Sequence, residues 1–410
     1  MPRDPRFIPI ASAPRTLVQS GASFRQVDPQ DAPADGGEAA APTAALKGRG
    51  TAWDIAHRFQ TESREAADDG WGGLDQEASL EHAGPATTVI EEHAKRILNG
   101  NDSPDIHFDV SINPYRGCEH GCIYCFARPT HSYLNLSPGL DFETRIIAKV
   151  NAAERVRATL ASPSYVPQVL NIGAATDPYQ PVERRLRITR GVIEVLAEFR
   201  HAFSVVTKSS GIERDLDLVG EMGRAGLAAV YMSVTSLDSA LSRVMEPRAA
   251  APHRRLRTIE ALARAGVPVG VSASPMIPFI NEHELERILQ AARDAGATSA
   301  FATPVRLPWE VNPLFQQWLE AHFPDRAARV MARIRDTRDG KDYDSDFSQR
   351  MTGTGLWAKM LRDRFELAVH RLGFRNDRHE LDLGRFTRPA VTAQASAAAR
   401  DAAAGQGSLF

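Results

Sequence analysis

All three cysteines of this 410-residue chain lie in one short loop: Cys118, Cys122 and Cys125, spaced C-x3-C-x2-C. Gly117 and Gly121 precede the first two cysteines, and glycine lets the backbone turn tightly around a bound centre. Cysteine thiolates hold iron–sulfur clusters, most of which take four protein ligands. Three thiolates leave one iron without a protein ligand. The spacing therefore predicts a cluster that binds a small molecule as well as moving electrons.

Two other interpretations of the three thiols are a zinc site and chemically inert buried cysteines. A zinc site would need a fourth ligand, for which His120 and His131 are the nearby candidates. Zinc sites usually pair their cysteines as C-x2-C, with a second pair well downstream, and this sequence has no second pair. The confinement of every cysteine to one loop favours chemistry over inert burial.

The wider stretch NPYRGCEHGCIYCFARPTH, residues 113–131, resembles the radical SAM enzymes. Within them it is similar to the branch related to spore photoproduct lyase, often labelled DNA-repair photolyase-like. The resemblance extends over most of the chain, from Lys95 to Leu372. It implies a [4Fe–4S] cluster whose open iron chelates S-adenosylmethionine (SAM), and one-electron cleavage of SAM to a 5′-deoxyadenosyl radical. It also implies that Tyr124 lines the adenine side of the SAM pocket, with plain packing as the alternative.

The elements that must position this loop alternate between short apolar strands and amphipathic helices. Strands are predicted at 106–112, 168–174, 202–208, 227–235, 267–273 and 297–305, and helices at 142–160, 187–200, 214–226, 253–266 and 282–296. Such alternation is typical of parallel βα units. Six units predict an α/β fold with a partial (β/α)6 parallel TIM-like barrel. Functional groups of such barrels lie at the carboxyl ends of the strands, where the cysteine loop follows the first strand.

Polar residues follow the next strands at the same predicted face. By resemblance, Thr176 and Asp177 contact the SAM amino group or ribose, although an Asp-Pro turn is the alternative. Lys208 and Ser233 are candidates for the SAM carboxylate. Weaker candidates on this face are Ser272, Ser274 and Arg306. We expect the charged residues Glu246, Arg248, Arg254 and Arg255 to form salt bridges rather than bind a ligand.

One feature departs from the family pattern. Spore photoproduct lyase carries a cysteine in the second-strand segment that returns a hydrogen atom to the product radical. The matching segment here reads Gly-Ala-Ala-Thr-Asp at 173–177, so the chain has no cysteine for that step. Tyr179 is the candidate replacement.

Composition divides the chain into four parts. Residues 1–85 are predicted to be a mostly disordered acidic arm, 86–320 the radical SAM core, 321–389 a helical C-terminal appendix, and 390–410 a flexible tail. Trp53, Phe59 and Trp71 are exceptions within the arm. We expect them to dock on the core, with binding of a partner as the alternative.

Partners and location follow from the ends of the chain and from its charge. The last residues, Gln406–Phe410, resemble the bacterial sliding-clamp-binding motif, which would bring the protein to DNA. The formal net charge of −2 gives no argument for nucleic acid. No apolar run suits a membrane span or a secretory signal, so we expect a cytoplasmic protein.

The leading hypothesis is a radical SAM enzyme that acts on nucleic acid, with a DNA lesion as one candidate substrate. The resemblance implies an electron donor of the flavodoxin or ferredoxin type. The alternatives are radical modification of RNA, a peptide or a metabolite, and a non-catalytic iron–sulfur protein that transfers electrons or senses redox state.

Overall fold

The computed structural model of the protein describes residues 48–59, 86–375 and 379–389. The rest of the predicted arm, including Trp71, lies outside these ranges, as does the predicted tail with Gln406–Phe410.

Ten strands and eleven α-helices make up the described chain. The strands are β1 (Thr88–Glu92), β2 (Leu98–Gly100), β3 (Val110–Ile112), β4 (Tyr115–Arg116), β5 (Arg145–Lys149), β6 (Leu170–Ile172), β7 (Phe203–Thr207), β8 (Ala228–Ser233), β9 (Val269–Met276) and β10 (Ser299–Pro304). The helices are α1 (Asp141–Thr144), α2 (Ala152–Ala161), α3 (Glu183–Leu186), α4 (Ile188–Glu198), α5 (Leu216–Arg224), α6 (Ser239–Met245), α7 (Pro252–Arg264), α8 (Leu285–Asp294), α9 (Val311–His322), α10 (Pro324–Asp336) and α11 (Gly355–Leu372). Short 3-10 helices include Arg128–Leu134 and Ser210–Asp215.

The main sheet has the strand order β10-β9-β8-β7-β6-β3-β2. Its six strands from β3 to β10 are parallel, and each lies beside the next one along the chain, while β2 is antiparallel to β3. Each new strand is added at the same edge of the sheet through a right-handed crossover. The connecting helices therefore all lie on one face of the sheet, and the sheet curls into part of a barrel. The six predicted strands and the partial barrel are confirmed.

The main core lies between this sheet and its helices. Every residue of β8 is buried, as expected for a central parallel strand that is covered on both faces. Leu196 of α4, Ile259 of α7 and Leu289 of α8 pack into the same core, and all three side chains are fully buried. Each of these helices is amphipathic, because its apolar face covers one side of the barrel.

The prediction of a single helix over 142–160 is wrong for the residues in its middle. Residues Arg145–Lys149 form strand β5, which pairs in parallel with β1 and antiparallel with β4 in a separate three-stranded sheet. The adjacent branched residues Ile146 and Ile147 favour a strand, and β1 provides its partner. This small sheet brackets the cysteine loop, because β4 leads directly into it.

Helix α9 crosses the predicted boundary between the radical SAM core and the helical appendix, and α9 and α10 share a second core with the cysteine loop. Ile123 and Tyr124 of the loop belong to the same buried cluster as Phe315 and Trp318 of α9 and Ile334 of α10. The last helix, α11, packs against α8 and β10. No helix within the described ranges has the length and hydropathy needed to cross a membrane.

Candidate active site

The cysteine loop lies at the carboxyl end of β3 and is folded around two glycines. Gly117 and Gly121 have φ values of +79° and +66°, a backbone region that other residues rarely adopt. A Cβ atom on Gly117 would come within 2.8 Å of both the His131 ring and the Phe142 carbonyl oxygen. The loop is held at its start by the Cys118 N–H, which donates to that same carbonyl at 2.9 Å.

The three thiols share one site. Cys118 and Cys122 are buried, Cys125 is partly buried, and none forms a disulfide. Burial raises the pKa of Cys122 to about 12 with the help of the nearby charges of Glu246 and Cys125, against the opposing charge of Lys208. Three thiolates that repel one another in a buried loop fit a positively charged metal centre, which favours their deprotonated form.

The contacts of His120 and His131 disfavour a mononuclear zinc site in the cysteine loop. In the described part of the chain, no three His, Cys, Asp or Glu side chains are grouped as around a single metal ion. The proposed fourth ligands have other partners: His120 Nδ1 lies 3.3 Å from Asp177, and His131 Nε2 lies 3.0 Å from the Arg145 carbonyl oxygen. An iron–sulfur cluster is larger than one ion, so its cysteines need not converge on one point.

Thr176 and Gln180, which follow β6, hold the loop from one side. The Thr176 hydroxyl donates to the Gly117 carbonyl at 2.6 Å. Gln180 is completely buried, and its amide donates to Gly117 and Thr176 and accepts the Glu119 N–H at 2.9 Å. These contacts position the loop, and the predicted contact of Thr176 with SAM stays a prediction. Sequence reasoning missed Gln180, whose only signal was its place after the second strand.

Asp177 connects the loop to the ends of two strands. Its carboxylate accepts the N–H groups of Tyr179 and Lys208 at 2.9 and 2.7 Å and the Thr207 hydroxyl at 2.8 Å. Burial alone would raise the pKa of Asp177, but His120 and these donors hold it at about 2. The carboxylate is therefore ionised and fixed, and its predicted contact with SAM remains untested.

Tyr124, between the second and third cysteines, is fixed by a buried carboxylate. Its hydroxyl donates to Glu246, which also accepts the Thr235 hydroxyl at 2.7 Å and pairs with the fully buried Arg255. Burial opposes ionisation of Glu246, but Arg255 and Lys208 outweigh it and lower the pKa of the carboxyl. The ring of Tyr124 is thereby held in one orientation beside the cysteines.

Lys208 directs an unbonded ammonium group toward the cysteine loop. Its Nζ lies 5.8 Å from the centroid of the Tyr124 ring and makes no hydrogen bond within the described ranges. Burial would lower the pKa of Lys208, but Cys122 and Glu246 outweigh burial and raise it, so the group is charged. A cation with free donors beside Cys122 can receive an anionic group of a ligand.

The other predicted residues take different positions. Ser233 is buried at the end of β8, and its carbonyl accepts Arg255 at 3.1 Å. Tyr179 is buried, and its hydroxyl donates to Asp215 at 3.0 Å. The weaker candidates are Ser272, which pairs with Ser233 in register, Ser274, which accepts the Thr303 N–H, and Arg306, whose guanidinium lies 4.9 Å from the Phe126 ring centroid.

The predicted salt bridges of the rim are confirmed. Besides the pair between Arg255 and Glu246, Arg248 lies 3.1 Å from Glu119 and Arg254 lies 2.6 Å from Glu213.

A buried ion pair beneath the loop was not predicted. Arg128 and Glu143 are both completely inaccessible and pair with each other. The Arg128 guanidinium also donates to the carbonyls of Cys122 at 3.0 Å and Gly121 at 3.2 Å, and to those of Pro138 and Gly139. It therefore holds the backbone between the first two cysteines. Arg128 belongs to the quoted sequence stretch, but no spacing rule identifies Glu143 as its partner.

Residues 48–59 cross the outside of the cysteine loop, and we refer to them as the strap. The Gly50 N–H donates to Glu143 at 2.9 Å, and the Trp53 carbonyl accepts the Leu140 N–H at 3.1 Å. A Cβ atom on Gly50 would lie 1.7 Å from the Gly121 carbonyl oxygen, so only glycine fits there. Trp53 and Phe59 contact the core as expected.

A cavity of about 150 Å³ opens beside the loop. Its polar lining comprises His120, Arg184, Ser209, Ser210, Arg248 and Arg254. Arg248 and Arg254 have carboxylate partners, whereas the Arg184 side chain is exposed and its guanidinium makes no hydrogen bond or ion pair with a described residue. The cavity is suited to an anion.

Comparison with known proteins gives the family. The model of the radical SAM superfamily matches residues 112–292. An uncharacterized protein of Mycobacterium tuberculosis is 35% identical over 230 residues, covering 56% of this chain and 68% of that protein. An uncharacterized protein of Methanocaldococcus jannaschii is 23% identical over 196 residues, 48% of this chain and 70% of that protein. A solved structure of mutant spore photoproduct lyase with bound AdoMet and dinucleoside spore photoproduct has a TM-score of 0.47 and 15% identity, covering 70% of this chain and 81% of the lyase. The match of the superfamily model over residues 112–292 includes the cysteine loop and the strands that carry it, and the chain belongs to the radical SAM superfamily and is an enzyme of that class.

Proposed function

We propose that this enzyme uses a [4Fe–4S] cluster and SAM to act on a nucleic acid, with damaged DNA as the first substrate class to test. The superfamily implies the two cofactors. The nucleic-acid substrate is supported by one observation above all, the arginine-lined cavity beside the cysteine loop.

Cys118, Cys122 and Cys125 would hold the cluster, and Lys208 would receive the SAM carboxylate. Reductive cleavage of SAM to a 5′-deoxyadenosyl radical is the chemistry that the cluster supplies when bound. Lys208 suits its part because its charged ammonium already faces Cys122 and has no hydrogen-bond acceptor in the described chain. Glu246 keeps the Tyr124 ring in place, and the second core excludes water from that side of the loop.

The cavity would receive a phosphodiester group. Guanidinium groups match phosphate in charge and in hydrogen-bond geometry. Arg184 can do so without breaking an existing ion pair, because it has none among the described residues. His120 lines the same cavity and belongs to the cysteine loop, so a phosphate bound there would place the neighbouring nucleotide close to the site.

The reaction would differ from one that uses a cysteine as hydrogen donor. All three cysteines of the chain lie in the loop. Tyr179 is a poor substitute in its present contacts, because its hydroxyl is buried against Asp215. We therefore propose no cysteine-mediated hydrogen return.

The first test concerns SAM. With the cluster reconstituted anaerobically, we expect reduction in the presence of SAM to give 5′-deoxyadenosine and to change the EPR spectrum. Lys208→Ala should weaken SAM binding without lowering the iron content, whereas Lys208→Arg should retain part of the affinity. Unchanged SAM affinity in Lys208→Ala would remove Lys208 from the pocket. A cluster that ignores SAM would favour the electron-transfer alternative.

The second test concerns the substrate. Ultraviolet-damaged DNA, intact DNA, RNA and a peptide mixture are each incubated with the reduced enzyme and SAM, and mass changes are recorded. Arg184→Ala should raise the KM for DNA and leave substrate-free SAM cleavage unchanged. Arg185→Ala is the matched control, because Arg185 is an exposed neighbour that does not line the cavity. Modification of RNA or peptide alone would replace the DNA proposal by one of the alternatives.

An electron donor of the flavodoxin or ferredoxin type and a sliding clamp bound by Gln406–Phe410 are further proposals about partners. Binding to a clamp would bring the enzyme to newly copied DNA, in agreement with a DNA substrate.

A further inference from the structure

We propose that an unpaired nucleic-acid strand docks on a band of aromatic and arginine side chains beside the cysteine loop. The band consists of Phe59, Phe126, Tyr133, Trp309 and Phe347, together with Arg58, Arg306 and Arg350. The proposal deepens the proposed function and rests on it for the substrate class. It adds that the strand is bound with its bases unpaired and stacked on protein rings.

Exposure is the first argument. The five rings have exposed fractions of 46% for Phe59, 49% for Phe126, 67% for Tyr133, 59% for Trp309 and 46% for Phe347. No other aromatic side chain in the described part of the chain is exposed. Phe59, Tyr133 and Trp309 lie around the Arg58 guanidinium, and Phe126 and Phe347 each lie beside another arginine. Aromatic rings are favoured in cores, so exposed rings grouped with arginines call for a ligand with flat faces.

The position of the band is the second argument. Phe126 directly follows Cys125, and Tyr133 belongs to the 3-10 helix that comes next. Trp309 and Arg306 follow the carboxyl end of β10, the face of a barrel that carries the active site. Phe59 ends the strap, and its ring centroid lies 5.1 Å from that of Tyr133. The band therefore borders the site.

The arginines are interleaved with the rings. The Arg58 guanidinium lies 4.1 Å from the ring centroid of Trp309 and 4.9 Å from that of Phe59. Arg306 covers Phe126 at 4.9 Å, and Arg350 covers Phe347 at 4.5 Å. A single strand presents the complementary pattern, because flat bases alternate with anionic phosphates.

Of these arginines, Arg306 lacks a carboxylate hydrogen bond within the described ranges and Arg58 has a long one, so both can contact phosphate. Arg306 makes no hydrogen bond to a carboxylate among the described residues, and Arg58 contacts Glu310 only at 3.5 Å. Arg350, in contrast, is held by Asp105 at 2.5 and 2.7 Å. We therefore expect Arg58 and Arg306 to contact phosphate, and Arg350 to support the Phe347 ring.

Trp309 has an unusual backbone for a large residue. Its φ is +47°, in the left-handed region that favours glycine. The ring gains little burial from this conformation, because 59% of it stays exposed. Residues with strained backbone conformations cluster at ligand-binding sites, where the conformation directs a side chain toward the ligand. Trp309 is the first ring to test.

The band suits a single strand better than other occupants. In a duplex the faces of the bases are hidden by stacking within the helix. A membrane or an apolar protein surface would match a continuous apolar patch, whereas this band is divided by three guanidinium groups. DNA and RNA share the required chemistry, so the experiment compares them.

The test measures binding by the cluster-loaded enzyme without reductant, so that no reaction is needed. Fluorescence anisotropy compares a labelled oligo-dT, an oligo-rU and a duplex of equal length. We expect the single strands to bind more tightly than the duplex. Trp309→Ala should weaken strand binding between about fivefold and about a hundredfold. Leu367→Ala, an exposed apolar truncation on α11, should have no effect.

Two further variants distinguish the contribution of charge from that of stacking to strand binding, and the conservative Trp309→Phe variant controls for misfolding. Arg58→Ala should lower the slope of log K against log salt by about 0.7, and Arg264→Ala, an equal charge change at an exposed site, should affect binding little. Trp309→Phe should bind normally but lose part of the tryptophan quenching that the strand causes.

Equal binding of duplex and single strand, with Trp309→Ala unaffected, would overturn the proposal. If DNA is modified although the band variants bind normally, this inference fails and the proposed function stands. If single strands bind through the band but no nucleic acid is modified, the proposed function fails and the docking surface stands. Preference between oligo-dT and oligo-rU identifies the source of the strand.

Discussion

Replacement of Arg128 by methionine is expected to loosen the cysteine loop from below. Arg128 is completely buried, and it donates to four backbone carbonyls as well as to Glu143. Methionine fills part of the volume but provides no donor. The variant leaves Glu143 buried beside the loop without its cation, and two loop carbonyls lose the same donor.

The size of the effect follows from the burial of the pair. Removing one member of a buried ion pair costs about 3–5 kcal/mol. At about 1.36 kcal/mol for each factor of ten, the folding equilibrium constant falls by a factor between about 160 and about 5,000. Glu143 already has a pKa raised by burial and only partly lowered by Arg128. Without Arg128 the pKa rises further, so the loss of stability is smaller at low pH, where the carboxyl is neutral.

The assay combines urea unfolding with iron analysis after anaerobic reconstitution. Arg116→Met is the matched control, because Arg116 lies near the loop but is exposed, and within the described ranges its side chain pairs with the partly exposed Glu92 alone. Arg128→Met should lose stability and bound iron, and the control should lose neither. The Glu143→Gln variant and the double variant complete a double-mutant cycle, which measures the interaction free energy between Arg128 and Glu143. The reasoning is refuted if Arg128→Met matches Arg116→Met in unfolding free energy and iron content.

Three other predictions concern the strap, a buried histidine and the C-terminus. Gly50→Ala should displace the strap and reduce bound iron, because its Cβ would lie 1.7 Å from the Gly121 carbonyl oxygen, whereas Gly100→Ala, with open space, should have no effect; equal iron contents would contradict this. Burial lowers the pKa of His201 to about 4, and its unfolded value is about 6.5, so the unfolded state binds the extra proton and stability should fall by about 2 kcal/mol from pH 7 to pH 5. Urea titrations at the two pH values should show that His201→Gln lacks this loss of stability. A variant with the same pH dependence as the unchanged protein would exclude His201 as its cause. Deletion of Gln406–Phe410 should abolish clamp binding in a pull-down without changing SAM cleavage, and a full-length protein that ignores the clamp would end that proposal.

Much of the barrel could be predicted because parallel strands carry strong local signals. Strands such as β8 are continuous apolar runs between helices, so their identity does not depend on distant partners. Strand β5 could not be predicted in this way, because it is a strand through pairing with β4 and with β1, and β1 lies more than fifty residues earlier. Ile146 and Ile147 favour a strand, but the residues on both sides of β5 have helical periodicity, which masks this short local signal.

In the candidate site, too, residues with a local sequence signal could be predicted, and residues that depend on distant partners could not. The cysteines, Lys208 and Asp177 were proposed from spacing, from their place after strands and from the family resemblance, and their roles stay predictions. The groups that hold them were not, because their partners are distant in sequence: Arg128 needs Glu143, and Tyr124 needs Glu246. A buried carboxylate is hard to recognise from sequence, since charged residues are usually exposed.

The second core has a consequence for cooperativity. Ile123 and Tyr124 share that core with α9 and α10, so the loop and helices about two hundred residues downstream should open as one unit. Any ligand that binds only the closed loop shifts the opening equilibrium of the whole unit by mass action. Loading of the cysteines should therefore slow amide hydrogen exchange in α9 and α10, although these helices contribute no ligand, and the stability of the appendix becomes a measure of cofactor occupancy.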